Sequence, residues 1–132
     1  MAVTIFAAID VGSYEVSMDI YQISPKMGIE KIDEVRSRIE LGHDTYTNGK
    51  ISYESAQRLG EVLGDFSRIM KEYKVTSYRA CATSAFREIV NPVIVQEQIF
   101  QRTGIRVEIL SNAEQHFLGY KSIAAIERGF KK

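Results

Sequence analysis

The stretch Ile5-Phe6-Ala7-Ala8-Ile9-Asp10-Val11-Gly12-Ser13 constrains this chain more than any other. An uninterrupted apolar run that ends in one carboxylate and then a glycine predicts a strand buried on both faces. Asp10 then stands at the carboxyl end of that strand, where a carboxylate can hold a hydrated metal ion. Gly12 and Ser13 form the turn behind it, and a turn rich in backbone N–H groups can cradle phosphate. Taken alone, the same residues also fit a strand closed by a plain hairpin. The rest of the sequence has to decide between the two.

The elements that follow are legible from their periods. Val16, Met18 and Ile20 alternate with Ser17, Asp19 and Tyr21, the period of a strand. Ser24-Pro25-Lys26-Met27-Gly28 is a turn cluster. Ile29 to Leu41 is extended again but carries Glu30, Lys31, Asp33, Glu34, Arg36, Arg38 and Glu40, a composition suited to a protected edge strand. Three strands joined by short turns predict an antiparallel meander. After a polar loop over 42–50, Ser52 is placed as an N-cap with Glu54 in the first turn. Ala56, Leu59, Val62, Leu63, Phe66, Ile69, Met70 and Tyr73 then draw one apolar helical stripe, with Gly60 and Gly64 placed for close packing on the sheet.

Val75 to Thr83 reads as a fourth strand and Ser84 to Val90 as a short helix. Asn91-Pro92 restarts a helix with Val93, Ile94, Ile99 and Phe100 facing inward, and Gly104 closes it. Ile105 to Leu110 forms a fifth strand. Ser111-Asn112-Ala113-Glu114 is a capping box that opens a last helix carrying Phe117, Leu118, Ile123, Ala124 and Ile126. The expected fold is one α/β domain, a five-stranded mixed sheet with three antiparallel N-terminal strands and helices on both faces.

Composition narrows the partners. Lysine plus arginine balances aspartate plus glutamate, 17 of each, so no overall field recruits nucleic acid or an acidic membrane and any anion site has to be local. Hydrophobic residues at 45% exclude a disordered chain. The single Cys81 has no internal partner, which suits a reducing compartment, and its apolar setting predicts a buried, inert thiol. No run approaches the ~20 apolar residues of a membrane span, and the N-terminus lacks the basic region and apolar core of a signal peptide. A cytoplasmic protein is expected. His43 and His116 have no partners at metal-ligand spacing, so no zinc site is read from them.

Five pieces, in order, carry a resemblance. They are Ala7-Ala8-Ile9-Asp10-Val11-Gly12-Ser13, Arg58-Leu59-Gly60, Ala82-Thr83-Ser84-Ala85-Phe86-Arg87, Asn91 beyond it, and Val107-Glu108-Ile109-Leu110-Ser111 running into Glu114. Together they resemble the N-terminal part of the exopolyphosphatase / guanosine-pentaphosphate phosphohydrolase family. The resemblance implies the ribonuclease-H-like half of the actin/sugar-kinase superfamily, with residues 1–132 as the N-terminal domain and the second domain absent. It implies removal of a terminal phosphate from polyphosphate or guanosine pentaphosphate with Mg2+. Gly12 and Ser13 would bind phosphate, Asp10 would hold the metal, and Arg87 would grip a phosphate as a planar fork. The remaining wall of the cleft would come from the C-terminal domain of the same protein, and a homodimer is compatible with this.

The sequence also departs from the family pattern. The family's catalytic base is the second glutamate of Ser-Gly-x-Glu-Glu-Ala-Arg, and Gln115 falls on it, with Glu114 beside it and Phe117 in place of the arginine. An amide orients a water but cannot take its proton. Tyr14-Glu15 replaces the usual Asn-Ser after Gly-Ser, and a Glu15 aimed at the site would repel a polyanion. Two readings follow. One is a phosphohydrolase represented by one domain, inactive when isolated. The other is a catalytically impaired relative that binds phosphate, alarmone or a protein. A sugar-kinase-like user of ATP shares the fold but finds no support in the Thr-Ser-Ala-x-Arg segment.

Overall fold

The computed structural model describes residues 3–39, 53–82 and 92–109. The elements are β1 (Thr4–Val11), β2 (Glu15–Ser24), β3 (Gly28–Arg38), α1 (Tyr53–Tyr73), β4 (Ser77–Ala82), α2 (Pro92–Thr103) and β5 (Val107–Ile109). The strands form one sheet in the order β3-β2-β1-β4-β5. β1 and β2 are antiparallel, as are β2 and β3, whereas β4 runs parallel to β1 and β5 parallel to β4. The five-stranded mixed sheet with its N-terminal meander is the expected one. The short helix expected over 84–90 and the last helix after Glu114 lie outside the described residues.

Alternation sets the core. Ala7, Ile9 and Val11 of β1 and Val16, Met18 and Ile20 of β2 are buried and pair across the two strands. With Leu59, Val62, Leu63, Phe66 and Met70 of α1 and Ile99 of α2 they make one apolar cluster. Both described helices therefore serve the same side of the sheet. The other side of β1 is not fully buried: Phe6 and Ala8 are half-buried and Asp10 is exposed. Expected burial on both faces holds in full for one face only.

β3 is the protected edge that its charges predicted. Ile20 pairs with Asp33 and Tyr21 with Lys31, so Ile32 is an extra residue that bulges the strand, a second device against edge-to-edge pairing. Tyr73 at the end of α1 donates its hydroxyl to Asp33 Oδ2 at 2.6 Å, tying helix to edge strand. The helix then ends in a paired-bond cap: Lys74 N–H donates to the Lys71 carbonyl at 3.1 Å and Val75 N–H to the Met70 carbonyl at 2.9 Å. Lys74 takes the left-handed conformation this cap requires, with φ of 57°. α2 closes as expected on Gly104, at φ 78°, whose N–H donates to the Phe100 carbonyl at 2.8 Å.

Two packing expectations are corrected. Val93 and Ile94 are 67% and 54% exposed rather than inward-facing, because α2 buries Ile99 and leaves its first turn outside the core. Gly60 faces α2 rather than the sheet: a Cβ there would stand 2.8 Å from Arg102 Nη1, while one at Gly64 would meet nothing within 4 Å. Arg102 Nη1 crosses Gly60 to donate to Gln57 Oε1. We therefore expect Gly60→Ala to be nearly neutral. Alanine gains ~1 kcal/mol in helix propensity, and displacing the exposed Arg102 loses a hydrogen bond worth ~1 kcal/mol. Urea unfolding would read the balance.

Candidate functional site

The parallel strands end in register. Val11 pairs with Ala82, and Ala82 with Ile109, so the carboxyl ends of β1, β4 and β5 form one row. Ligands of open α/β sheets bind outside the carboxyl ends of the strands, where the connections leave in opposite directions. Here that point lies between β1, whose chain turns back into β2, and β4, which is reached through α1. The segments after Ala82 and Ile109, which contain Arg87, Glu114 and Gln115, depart from this same row. Those three residues themselves lie outside the described residues.

Asp10, Gly12 and Ser13 are described, and they do stand together at this edge. Gly12 N–H donates to the Glu15 carbonyl at 2.9 Å, which leaves Ser13 and Tyr14 to bridge the strands. A plain two-residue hairpin favours turns with positive φ. Among the described non-glycine residues only Lys74 has positive φ, so this turn is of another kind. It is also pinned from the side, since Ile39 N–H donates to the Tyr14 carbonyl at 3.0 Å. Ser13 is buried at 8% exposure, whereas Tyr14 is 49% exposed. The hairpin that the sequence left open is thus an unusual turn, held in place by its own closure and by the chain following β3.

The electrostatics around Asp10 are unfavourable to its charge. Partial burial of the carboxyl is the main cause that raises its pKa, and the neighbouring charges of Glu15 and Asp19 add to it. The residue as a whole is exposed, so its carboxylate faces both solvent and a negative neighbourhood. A divalent cation there would relieve that repulsion, and Mg2+ is commonly bound by one carboxylate together with waters and substrate phosphates. Among the described residues no group of three or more His, Cys, Asp or Glu forms a metal cage. Asp10 would hold such an ion as one carboxylate ligand among waters.

A raised carboxyl pKa means that the folded state holds this proton more tightly than the unfolded chain. The cost of the charge is present above the folded pKa and vanishes below the unfolded one. Asp10→Asn is therefore expected to raise the melting temperature at pH 7, with the gain disappearing at strongly acidic pH. Equal melting at both would show that the site imposes no charge cost.

Cys81 pairs with Asp10 across β1 and β4. Burial is the leading cause that pushes its thiol pKa up, opposed by the Arg79 guanidinium, so it is not an activated nucleophile. Arg79 is itself engaged, with Nε 2.8 Å from Glu108 Oε2. Glu15 is exposed, as alternation with Val16 indicated, but its carboxylate has a partner that local sequence reasoning missed: Arg36 Nη1 lies 2.6 Å from Oε1. The pairing of Glu15 with Arg38 and of Ser17 with Arg36 brings these side chains together, and that register is not readable from either strand alone.

Comparison with known proteins shows the family. The model of the Ppx/GppA phosphatase family matches residues 20–128. The chain is 24% identical over 115 residues to exopolyphosphatase 1 of Mycobacterium leprae, covering 87% of this chain and 34% of that protein. It is 23% identical over 125 residues to a guanosine-5′-triphosphate,3′-diphosphate pyrophosphatase of Vibrio atlanticus, covering 95% and 25% respectively. The crystal structure of the Aquifex aeolicus Ppx/GppA family member superposes with a TM-score of 0.80 at 27% identity, over 84% of this chain and 36% of that one. The chain thus spans about a third or less of the length of these relatives. Among the described residues no helix is long and apolar enough to cross a membrane.

Proposed function

We propose, for a chain that belongs to the Ppx/GppA phosphatase family, that it supplies one wall of a phosphate cleft in a phosphohydrolase. The substrate class is a chain of linked phosphates, either polyphosphate or the 5′ end of guanosine pentaphosphate, and the bond broken is the terminal phosphoanhydride. The observation that carries this reading is the row formed by Val11, Ala82 and Ile109, with the pinned Ser13–Tyr14 turn and Asp10 beside it. The segments bearing Arg87, Glu114 and Gln115 follow Ala82 and Ile109 in the sequence, which supports a reading in which they come to the same edge. The opposite wall would come from a C-terminal domain of the same protein, in the cytoplasm.

Hydrolysis of a phosphoanhydride is mainly a matter of positioning and charge stabilisation. Gly12 holds the turn closed, and Ser13 with the turn backbone would contact a phosphate oxygen. Asp10 would hold hydrated Mg2+, which when bound supplies the positive charge that neutralises the phosphates. Arg87 would fix one phosphate with two parallel N–H donors. Glu114 and Gln115 would face the attacking water. Gln115 would orient it through its amide, and Glu114, one residue before it, would accept its proton.

The second reading is favoured by Gln115 itself. A positioned general base contributes ~10²–10⁴ in rate, so a relative without it would serve better as a binding module for phosphate, alarmone or a protein partner. Phosphate release separates the two. The protein carrying whatever follows Lys132 in its gene is incubated with polyphosphate or guanosine pentaphosphate and Mg2+. Release by that protein, with none from residues 1–132 alone, supports the phosphohydrolase. Saturable binding without release supports the binding module, and neither binding nor release contradicts both.

A further inference from the structure

Glu15 stands where it would harm the proposed site. It follows the turn directly, and because Asp10 pairs with Ser17, Glu15 two residues earlier on β2 lies on the same face of the sheet as Asp10. A carboxylate there repels any polyphosphate approaching Ser13 and Tyr14. The structure shows what is set against it. Arg36 pairs with Ser17 across β2 and β3, placing it on that face, and its Nη1 lies 2.6 Å from Glu15 Oε1. Its Nε also reaches Glu34 Oε2 at 2.8 Å, and Glu34 Oε1 in turn meets Lys31 Nζ at 2.6 Å. Lys31 then approaches Asp19 Oδ1 at 3.7 Å. Alternating charges therefore run from the turn across the face and back beside Asp10.

The side chains of Arg36 and Glu15 are 55% and 50% exposed. An ion pair so open to water adds little to folding, and fold stability does not account for its position. We propose that Arg36 is a positioning residue for anion binding: by holding the Glu15 carboxylate in an ion pair, it keeps the Ser13–Tyr14 turn open to a polyanion. This rests on the phosphate-cleft reading and names a determinant of its affinity. Arg36 acts through Glu15, so its effect depends on Glu15 being charged. A direct contact between Arg36 and the ligand would not depend on it.

The test is a titration of the protein carrying whatever follows Lys132 in its gene with inorganic tripolyphosphate at low salt, on wild type, Arg36→Gln, Arg36→Lys, Glu15→Gln and the Arg36→Gln/Glu15→Gln pair. Arg36→Gln is expected to weaken binding by roughly tenfold, because the released Glu15 carboxylate is then free to swing toward a multiply charged anion in high dielectric. Arg36→Lys is expected to retain most of the affinity. The double variant is expected to return to within about twofold of Glu15→Gln, and the loss in Arg36→Gln to shrink in 0.5 M NaCl as screening shortens to a few Å. All variants should melt within about 4 °C of wild type, as an exposed pair allows. Wild-type affinity in Arg36→Gln overturns the inference and leaves the cleft reading standing. A loss that Glu15→Gln does not rescue also overturns it, since Arg36 would then touch the anion itself. No saturable binding by wild type overturns the cleft reading and this inference with it.

Discussion

Gln115→Glu is expected to raise phosphate release at least about tenfold in the protein that carries the rest of the cleft, toward the ~10²–10⁴ that a positioned general base contributes. The physical reason lies in the attacking water. An amide can hold that water by a hydrogen bond but cannot accept its proton as the oxygen–phosphorus bond forms, whereas a carboxylate at the same place does both. The resemblance puts position 115 on the family's base, and the sheet places the start of its segment in the same row as the Asp10 turn. An unchanged rate would move the defect to Tyr14 and Glu15 in the front turn. A rise confined to high pH would mean that the new carboxylate is protonated by its surroundings near neutral pH.

Phe66→Ala is expected to cost ~3–5 kcal/mol of folding free energy, a large part of the ~5–15 kcal/mol available to a domain of ordinary stability. Phe66 is 1% exposed and is the largest fully buried side chain among the described residues. It lies on α1 between Val62 and Met70, in the cluster that joins the helix to Ala7, Ile9 and Val11. Chemical denaturation read by circular dichroism would measure the loss. Because the same cluster backs β1, phosphate binding should fall together with the folded fraction and not before it.

Where structure follows from local period or from one special residue, the sequence was legible. Alternation over Val16, Met18 and Ile20 identified β2 and its inner face, the stripe from Leu59 to Met70 identified α1, and Gly104 located the end of α2. The charges of β3 identified it as an edge. What escaped depends on which element meets which. Val93 and Ile94 carry apolar side chains at helical spacing, yet α2 turns only Ile99 fully into the core, so composition overstated its buried face. Gly60 reads as a close-packing residue, but its neighbour is Arg102, 42 positions further along the chain and on another helix.

The site shows the same division. Asp10 and the Ser13–Tyr14 turn were readable because a carboxylate and a glycine interrupt an apolar run. The pairing of Glu15 with Arg36 was not, because it arises from cross-strand register between residues 21 apart. The bulge at Ile32 adds to that difficulty: it shifts which residues of β3 share a face, and no pattern within β3 announces it. From β2 alone Glu15 is only a carboxylate that repels a polyanion. With its partner in view, the departure from the family's turn comes with a counter-charge.

The turn after β1 is proposed to receive phosphate. Titrating isotopically labelled protein with tripolyphosphate and Mg2+, and following each backbone amide by NMR, tests it most directly. Saturable shifts are expected at Ser13 and Tyr14 that weaken in Asp10→Asn, while amides at the opposite end of the sheet, around Ser77 and Met27, stay still. Saturable shifts confined to other surfaces, with Ser13 and Tyr14 unmoved, would contradict it.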